Sequence, residues 1–509
     1  MGERVHKSIL NAEVNIIFYF LSLFLAFYSR KVFLDCLGTE FIGLTGTIDN
    51  ILGYLNLAEF GISSCISFFL YKPLQSKNRE EIQDILSIFG YLYQWIGFII
   101  WGGATIVSLF FPLIFSNTDL GLGIIYFSFF SFLGSSLIGY FINYRQILLS
   151  ADQKNYLVAI YFQSATLIRT ALQIFLAIKY KNLYVWVFIE FLFGVIGCII
   201  LNWKIKKEYP WLKTNKSKGK KLLKNYPAIL TNTRQIFIHN IKDFVLRKSD
   251  EIFIFSFVSL NMVAFYGNYT MIINKITLLF HSVLESVNAG IGNLVAENDH
   301  KKITDVFWEL MTIRHFVAGL LSYSIYFFIE PFISLWLGKQ YILDHHILDL
   351  LVIFTYITNS RGVVDAFNHA YGHYADIWSA WVELIINVSI TIVGGIYWGI
   401  IGILLGKIVS VLPIVTFWKP YYLFRSGFKL PYSKYWKYAL RYYLIFAISF
   451  AGGSLITRHL PFSPDSGYVQ WIGFSFLSLI AWGIIEISLL LLFAKGARNC
   501  IERIKHLKK

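Results

Sequence analysis

Apolar runs of about 20 residues recur along the whole of this 509-residue chain, and only 15% of its residues are charged. A helix of that length crosses the roughly 30 Å hydrocarbon core of a bilayer. Backbone polar groups in lipid must be hydrogen-bonded within their own segment, so long apolar runs predict helices, whereas a membrane barrel shows short alternating segments. The predicted fold class is therefore all-α and polytopic.

The apolar runs predict fourteen spans. These begin near residues 9, 41, 87, 122, 155, 183, 238, 263, 306, 347, 376, 398, 438 and 469. The first span follows Arg4 and Lys7, as a signal peptide would, but no small-residue cleavage site comes after it. We therefore interpret it as a retained span.

A basic segment at residues 203–225 divides the spans into two comparable groups. The predicted organisation is a six-span lobe at residues 1–215, a second six-span lobe at 226–424, and two additional spans with a basic tail at 425–509. The two lobes share a local pattern, because the number of residues from Gly43 to Asn50 equals the number from Gly267 to Asn274. Equivalent positions lie six spans apart, which predicts a parallel, pseudo-symmetric repeat with a substrate pathway between the lobes.

The net charge of +15 is distributed unevenly. Most Lys and Arg residues fall in the even-numbered connections and in the tail, while the opposite side has few. By the positive-inside rule this predicts an inner-membrane protein with both termini in the cytoplasm. The basic connections are expected to contact lipid headgroups, and no nucleic-acid partner is expected.

Polar side chains form stripes on two otherwise apolar spans. In span two, the polar residues recur at spacings of seven, three and four residues, which places Asp49, Asn56, Glu59 and Ser63 on one helical face. Span eight carries a similar stripe around Lys275. The predicted polar lining of a water-filled pathway is Asp49, Asn50, Asn56, Asn274 and His281. The alternative is that these groups form interhelical hydrogen bonds that hold the bundle together.

Basic residues inside predicted spans are costly in lipid, so they should face a cavity or a counter-charge. The predicted cationic site comprises Arg247, Lys248, Lys275, Arg361 and Arg169, with Arg30 at the outer mouth. An Arg guanidinium stays protonated and binds phosphate oxygens through two parallel hydrogen bonds, which favours a pyrophosphate headgroup over a sugar. For each residue the alternative is a structural ion pair.

No cofactor or metal is expected, because the cysteines and histidines lack ligand spacing. The segment Gly402–Lys407 resembles a P-loop but is one residue short, and close helix packing explains its glycines better. Energy is expected from a proton or sodium gradient instead. The candidates for ion coupling are Asp49, Glu59, Glu285, Asp365 and Glu383.

Three segments carry a resemblance to a known family. They are LGTEFIGLTGTIDNILGYLNLAEFGISSCISFFLYKPLQ, FYGNYTMIINKITLLFHSVLESVNAGIGNLVAEND and the glycine pair Gly399 and Gly402. The chain resembles the Wzx-like O-antigen and capsule flippases of the multidrug/oligosaccharidyl-lipid/polysaccharide (MOP) superfamily. The resemblance implies a fold like that of MATE transporters and MurJ, and an undecaprenyl-pyrophosphate-linked oligosaccharide moved by alternating access for surface polysaccharide synthesis. Lys407 departs from the family pattern, in which a small or hydroxyl residue is expected.

Other functions stay open at this point. A lipid II flippase and a MATE-type multidrug antiporter share the architecture, although a basic cavity favours an anionic lipid. A membrane glycosyltransferase or polymerase also has many spans, but no DxD motif and no large outer connection occurs here. The chain is therefore expected not to be an enzyme, and a polysaccharide polymerase and a chain-length regulator are its expected protein partners.

Overall fold

The structure is a computed structural model that describes residues 2–59, 62–152, 154–230, 233, 249–285, 291–292, 294–295, 297, 299–373 and 377–507. Within helices, residues 2–12 and 282–285 are among those described by backbone alone. The described residues form helices and connecting turns without a strand. The predicted all-α class is confirmed.

Nine helices carry labels in the first part of the described chain. They are α1 Gly2–Leu37, α2 Thr39–Leu55, α3 Ile62–Gln75, α4 Arg79–Leu109, α5 Leu122–Phe141, α6 Tyr156–Tyr180, α7 Leu183–Glu208, α8 Lys216–Leu223 and α9 Leu260–Glu285. Residues 249–257 are helical as well. A π-helical turn at Ala159–Gln163 lies within α6.

Eight labelled helices follow. They are α10 His300–Trp336, α11 His345–Ser360, α12 Gly362–Ala370, α13 Ile377–Trp398, α14 Ile400–Val411, α15 Tyr432–Arg458, α16 Tyr468–Phe493 and α17 Lys495–Leu507. The helical path of α14 continues through π-helical turns to Gly427, and α11 continues into α12.

Eleven helices of the described chain are long and apolar enough to cross a membrane. They correspond to predicted spans one, three to six and nine to fourteen. Span two is divided into α2 and α3, with a 3-10 turn at Asn56–Glu59 after α2. Span seven begins outside the described residues, and span eight is α9, which carries the second polar stripe. The protein is thus a multi-pass membrane protein.

The chain divides into two compact units, Met1–Ala264 and Phe265–Lys509. Aromatic side chains dominate the interior of each unit. The first unit buries Phe41, Phe89, Phe111 and Phe129 completely, and the second buries Phe307, Tyr323, Phe367, Phe424 and Trp482. The predicted lobe boundaries stay a prediction.

Glycines bring α13 and α14 into backbone contact. A Cβ added at Gly402 would lie 2.0 Å from the Gly394 carbonyl oxygen, and one at Gly406 would lie 2.3 Å from the Thr391 hydroxyl. A side chain larger than hydrogen therefore does not fit at either position. The predicted packing role of the glycines in Gly402–Lys407 is confirmed.

Part of the basic segment at residues 203–225 forms the short helix α8, which is docked against α4. The backbone N–H of Asn215 donates to Ser87 Oγ at 3.0 Å, and a Cβ at Gly219 would lie 2.7 Å from the Ser87 carbonyl oxygen. Lys216 Nζ donates to the Phe141 carbonyl oxygen at 2.6 Å. Burial, together with the charge of Arg145, lowers the pKa of Lys216. The remaining lysines of α8 are exposed.

Candidate functional site

Glu59 lies where the helical path of span two is interrupted between α2 and α3. Three hydroxyl groups donate hydrogen bonds to its carboxyl group. Tyr93 of α4 donates to Oε1, Ser63 of α3 donates to the same oxygen at 3.0 Å, and Tyr140 of α5 donates to Oε2 at 2.6 Å. Tyr140 also contacts Asn56 Oδ1 at 3.1 Å. The carboxyl group therefore connects three helices of the first unit at the interruption.

This arrangement explains how an interrupted helix is tolerated inside a membrane protein. Irregular backbone at membrane depth occurs where it is buried in protein or lines a water-filled cavity. We name Glu59, Asn56, Ser63, Tyr93 and Tyr140 the span-two cluster. The sequence analysis identified Glu59, Asn56 and Ser63, but it did not identify the two phenols, because they come from other helices.

A second polar contact joins α2 to residues 249–257. Asn50 Nδ2 donates to Glu251 Oε2 at 2.5 Å and to the Gly46 carbonyl oxygen at 2.9 Å. A Cβ at Gly43 would lie 2.0 Å from the Leu260 carbonyl oxygen, so the two segments are in close backbone contact. Asn50 is therefore buried in the first unit, where it holds α2 against the end of predicted span seven.

Other members of the predicted polar lining have exposed side chains. Asp49 on α2 is exposed although its neighbours along the helix are buried, and Asn274 and His281 are exposed on α9. An ionised carboxylate facing lipid costs on the order of a few kcal/mol. Exposure of polar side chains along predicted spans is therefore the pattern of a surface that contacts water within the membrane.

Arg169 of α6 forms an ion pair with Glu190 of α7. Gln173 Nε2 donates to the other oxygen of the same carboxylate at 3.1 Å. The positive charge is thus balanced inside the contact between α6 and α7. Glu190 was not identified from the sequence, although a single acid in the apolar run of α7 was the available signal.

The other predicted cationic residues have different surroundings. Arg361 lies at the junction of α11 and α12, with Nε 3.5 Å from Asp365 Oδ2, and both side chains are about one-third exposed. Arg30 Nη2 donates to the Ala264 carbonyl oxygen at 2.9 Å. Lys275 is partly exposed on α9. Arg247 and Lys248 lie outside the described residues, as does the side chain of Glu285.

Glu383 is 2% exposed and belongs to a buried stripe on α13 that faces α14. Ser379, Glu383, Asn387 and Thr391 recur every four residues along this stripe. Asn387 Nδ2 donates to Ser410 Oγ at 3.4 Å, while Lys407 Nζ lies 5.0 Å from the centre of the Phe354 ring. Glu383 is therefore part of a packed polar layer rather than an exposed surface.

The buried ionisable residues that were not singled out from the sequence include two that are almost inaccessible. His315 lies on α10 and Glu486 on α16, and each is 1% exposed. Glu486 is the one charged residue in the sequence of α16, which is a signal that sequence analysis could have used.

Within the described residues, no group of three or more His, Cys, Asp or Glu side chains is arranged to hold a metal ion. His345, the first residue of α11, instead contacts Glu330 at 3.1 Å and the Tyr326 hydroxyl at 3.3 Å.

Comparison with known proteins adds to this geometry. No family model matches the chain. A curated protein of Yersinia pseudotuberculosis, named for a proposed role in O-antigen export, is 23% identical over 434 residues, which cover 80% of this chain and 93% of that protein.

Among solved structures, lipid II flippase MurJ in an inward closed conformation matches with a TM-score of 0.66 at 17% identity, covering 95% of this chain and all of MurJ. An inward-facing MATE-family multidrug resistance transporter of the MOP superfamily matches with a TM-score of 0.61 at 14% identity, covering 81% of this chain and 97% of that transporter. The chain has the fold that these two proteins share. The resemblance noted in the sequence is confirmed, and the proteins that the chain resembles are named for O-antigen export, lipid II flipping and multidrug resistance transport.

Proposed function

We propose that this MOP-fold protein is a flippase that carries undecaprenyl-pyrophosphate-linked oligosaccharide units across the bacterial inner membrane. The units would be delivered for assembly of a surface polysaccharide such as O-antigen, capsule or exopolysaccharide. Similarity to a protein named for O-antigen export over 80% of the chain supports this class of cargo. The MurJ-like fold supports a mechanism of alternating access.

Exposure of polar side chains on predicted spans is the observation that carries the proposal. Asp49, Asn274 and His281 are exposed on α2 and α9 rather than buried in the packing of a unit. A multi-pass protein that served only as a scaffold would bury such groups or replace them with apolar ones. A polar pathway suits a cargo whose glycan and pyrophosphate must cross the hydrocarbon core.

The pyrophosphate is assigned to basic residues of the predicted spans. Lys275, Arg361, Arg247 and Lys248 are the proposed contacts, with Arg30 at the outer mouth. A guanidinium binds phosphate oxygens through two parallel hydrogen bonds. If a phosphate group replaced Asp365 as the partner of Arg361, the guanidinium would keep a charge-assisted hydrogen bond. Arg169 is left out of the proposed site because Glu190 already balances its charge.

Charge reversal tests this assignment. Lys275→Glu and Arg361→Glu should each abolish surface glycan in a strain that depends on this chain, while the protein remains in the membrane. Lys339→Glu is the matched control, because Lys339 is exposed in a turn outside the spans and its reversal should leave glycan unchanged. Wild-type amounts of glycan from both Lys275→Glu and Arg361→Glu would remove these residues from the site.

The cargo itself is tested by complementation. The MurJ-like fold is equally compatible with transport of lipid II, since fold alone does not specify the glycan. We expect the chain to restore surface polysaccharide to a strain that lacks its own O-antigen or capsule flippase. Rescue of a strain depleted of lipid II flippase, without rescue of surface polysaccharide, would contradict the proposed cargo.

Coupling to a proton or sodium gradient is proposed as the source of energy, with Asp49, Glu59, Glu285, Asp365 and Glu383 as candidate acids. The cytoplasmic orientation of both termini belongs to the same proposal, as does cooperation with a polysaccharide polymerase and a chain-length regulator. Collapse of each gradient in vesicles that contain the purified protein should identify the coupling ion. Flipping that ignores both gradients would contradict coupling.

A further inference from the structure

Glu486 on α16 has a buried carboxyl group that the proposed transport pathway does not explain. The side chain is 1% exposed, and Ser449 of α15 is its hydrogen-bond partner. The second carboxyl oxygen, Oε2, has no hydrogen-bond partner within the described structure. No described Lys, Arg or His forms a salt bridge with it. A lone carboxyl group inside a membrane-spanning helix is costly when ionised.

His315 on α10 is a second buried group with an unpaired atom. Its Nδ1 lies 2.9 Å from the Tyr356 hydroxyl of α11, but its Nε2 has no partner within the described residues. The ring stacks on Tyr442 of α15 at 4.8 Å and meets Tyr443 edge-on at 5.3 Å. One imidazole nitrogen is therefore available for a change of protonation.

Tyr356 links the two groups. Its hydroxyl contacts His315, and the carboxyl group of Glu486 is close enough to act electrostatically on the same phenol. The other titratable side chains that act on Tyr356 are the phenols of Tyr435 and Tyr443. Arg314, the residue before His315 on α10, lies against Gly362 at the start of α12. Among the described residues, the groups that act electrostatically on Tyr356 are thus two phenols and one carboxyl group, and none of them is a cation.

A cavity of about 620 Å³ leads to the buried groups around Tyr356. It is lined by α10, α11 and α15, with Asp349 and Tyr326 towards the start of α11 and Tyr356 two helical turns further on. Asp349 also lies 3.4 Å from His346, in a group of polar residues at the start of α11. The cavity thus connects a polar helix end, predicted to be external, with the phenol that contacts His315.

We infer that Glu486 and His315 form a proton-binding site in the second unit, reached from the Asp349 end of the cavity. This inference rests on the proposed function, and it adds a site that the five candidate coupling acids do not include. On uptake, a proton from water forms an O–H bond on the Glu486 carboxylate or an N–H bond on His315. On release, the same bond breaks and the proton returns to water.

The unpaired atoms argue against a purely structural role. Leaving a buried polar atom without a partner costs about 1–3 kcal/mol, whereas an apolar side chain of similar shape would carry no such cost. Ser449 and Glu486 give one contact between α15 and α16, which also pack closely where a Cβ at Gly453 would lie 3.2 Å from the Cβ of Trp482. A group that accepts a proton needs a free lone pair. Oε2 provides one on the carboxylate, and Nε2 provides one when Nδ1 carries the ring proton and donates to Tyr356.

Infrared difference spectroscopy on the full-length protein in liposomes tests the site directly. A pH titration should reveal a carboxylic-acid C=O band that disappears as Glu486 ionises. Glu486→Gln, an isostere of the neutral acid, should remove this band, whereas the matched control Glu190→Gln, which changes a carboxylate paired with Arg169, should leave it in place. Tyr356→Phe keeps Glu486 but removes the hydroxyl beside His315, and it should shift the pH at which the Glu486 band disappears. An unchanged band in Glu486→Gln would overturn the inference.

Transport measurements separate this inference from the proposed function. In vesicles with an imposed proton gradient, wild-type flipping should accelerate, and the ratio of rates with and without the gradient should fall to one in Glu486→Gln. A Glu486→Gln protein that keeps the wild-type ratio would refute the proton site while leaving the flippase intact. Absence of flipping by the wild-type protein would refute the function, and the infrared titration would still decide the proton site.

Discussion

Glu59 in the first unit and Glu486 in the second are both carboxyl groups within predicted spans, but their surroundings differ. Three hydroxyl groups donate to Glu59, and together they connect α3, α4 and α5 at the interruption of span two. Glu486 has Ser449 as its partner and one oxygen with none within the described residues. One carboxyl group is saturated with hydrogen bonds, whereas the other is nearly isolated.

The difference separates structural from switchable acids. Several donors fix the position of a carboxyl group, and its loss leaves each donor unpaired. An isolated carboxyl group contributes little to packing, so its charge can change without breaking a network. We therefore expect Glu59 to matter most for stability and Glu486 to matter most for the response to protons.

The largest expected effect on stability comes from Glu59→Ala. Removing the carboxyl group leaves the hydroxyls of Tyr93, Tyr140 and Ser63 to find other acceptors, which should lower the free energy of unfolding by about 2–4 kcal/mol. Thermal unfolding of the purified protein in detergent measures this loss. Glu59→Gln keeps an acceptor oxygen and serves as the matched control, with a smaller loss. A melting temperature equal to the wild type in Glu59→Ala would refute the structural role.

A smaller effect is expected from Tyr140→Phe. This change removes the hydrogen bonds to Glu59 and Asn56 but keeps the ring and the other two donors to Glu59. The expected loss is about 1 kcal/mol, in line with interhelical hydrogen bonds in membranes. If Tyr140→Phe destabilised the protein as much as Glu59→Ala, the stabilisation would not be shared among the three hydroxyl groups that donate to Glu59. The same unfolding assay gives the answer.

The smallest effect is expected from Glu486→Leu. An apolar side chain of similar size replaces a carboxyl group that satisfies few hydrogen bonds, so the unfolding free energy should stay within about 0.5 kcal/mol of the wild type or rise. A loss of stability as large as that of Glu59→Ala would mean that Glu486 is a structural acid. The comparison between the two units would then fail.

The sequence predicts the helices of this protein better than it predicts their contacts. Eleven spans follow from apolar length, because the membrane leaves helices as the natural solution for such runs. The interruption of span two is harder to predict, because an apolar run does not reveal where helical hydrogen bonding stops. Glu59 was identified from its spacing, but its phenol partners were not, because Tyr93 and Tyr140 lie 34 and 81 residues away.

The same limit applies to ion pairs. A single charge in an apolar run can be recognised from the sequence, but its counter-charge depends on which helices pack together. Arg169 was identified while its partner Glu190, 21 residues further on, was not. The pair Arg361 and Asp365 is the opposite case, since a spacing of four residues on one helical path already brings the two side chains together.

The central claim is that the polar face of α2 and the polar face of α9 each contact water inside the membrane. Cysteine accessibility tests it most directly, after the four native cysteines have been replaced. Asn274→Cys and His281→Cys should react with a membrane-impermeant thiol reagent, whereas Leu444→Cys, exposed on the apolar surface of α15, should not. If Asn274→Cys and His281→Cys were as unreactive as Leu444→Cys, the surface would face lipid and the account would be contradicted.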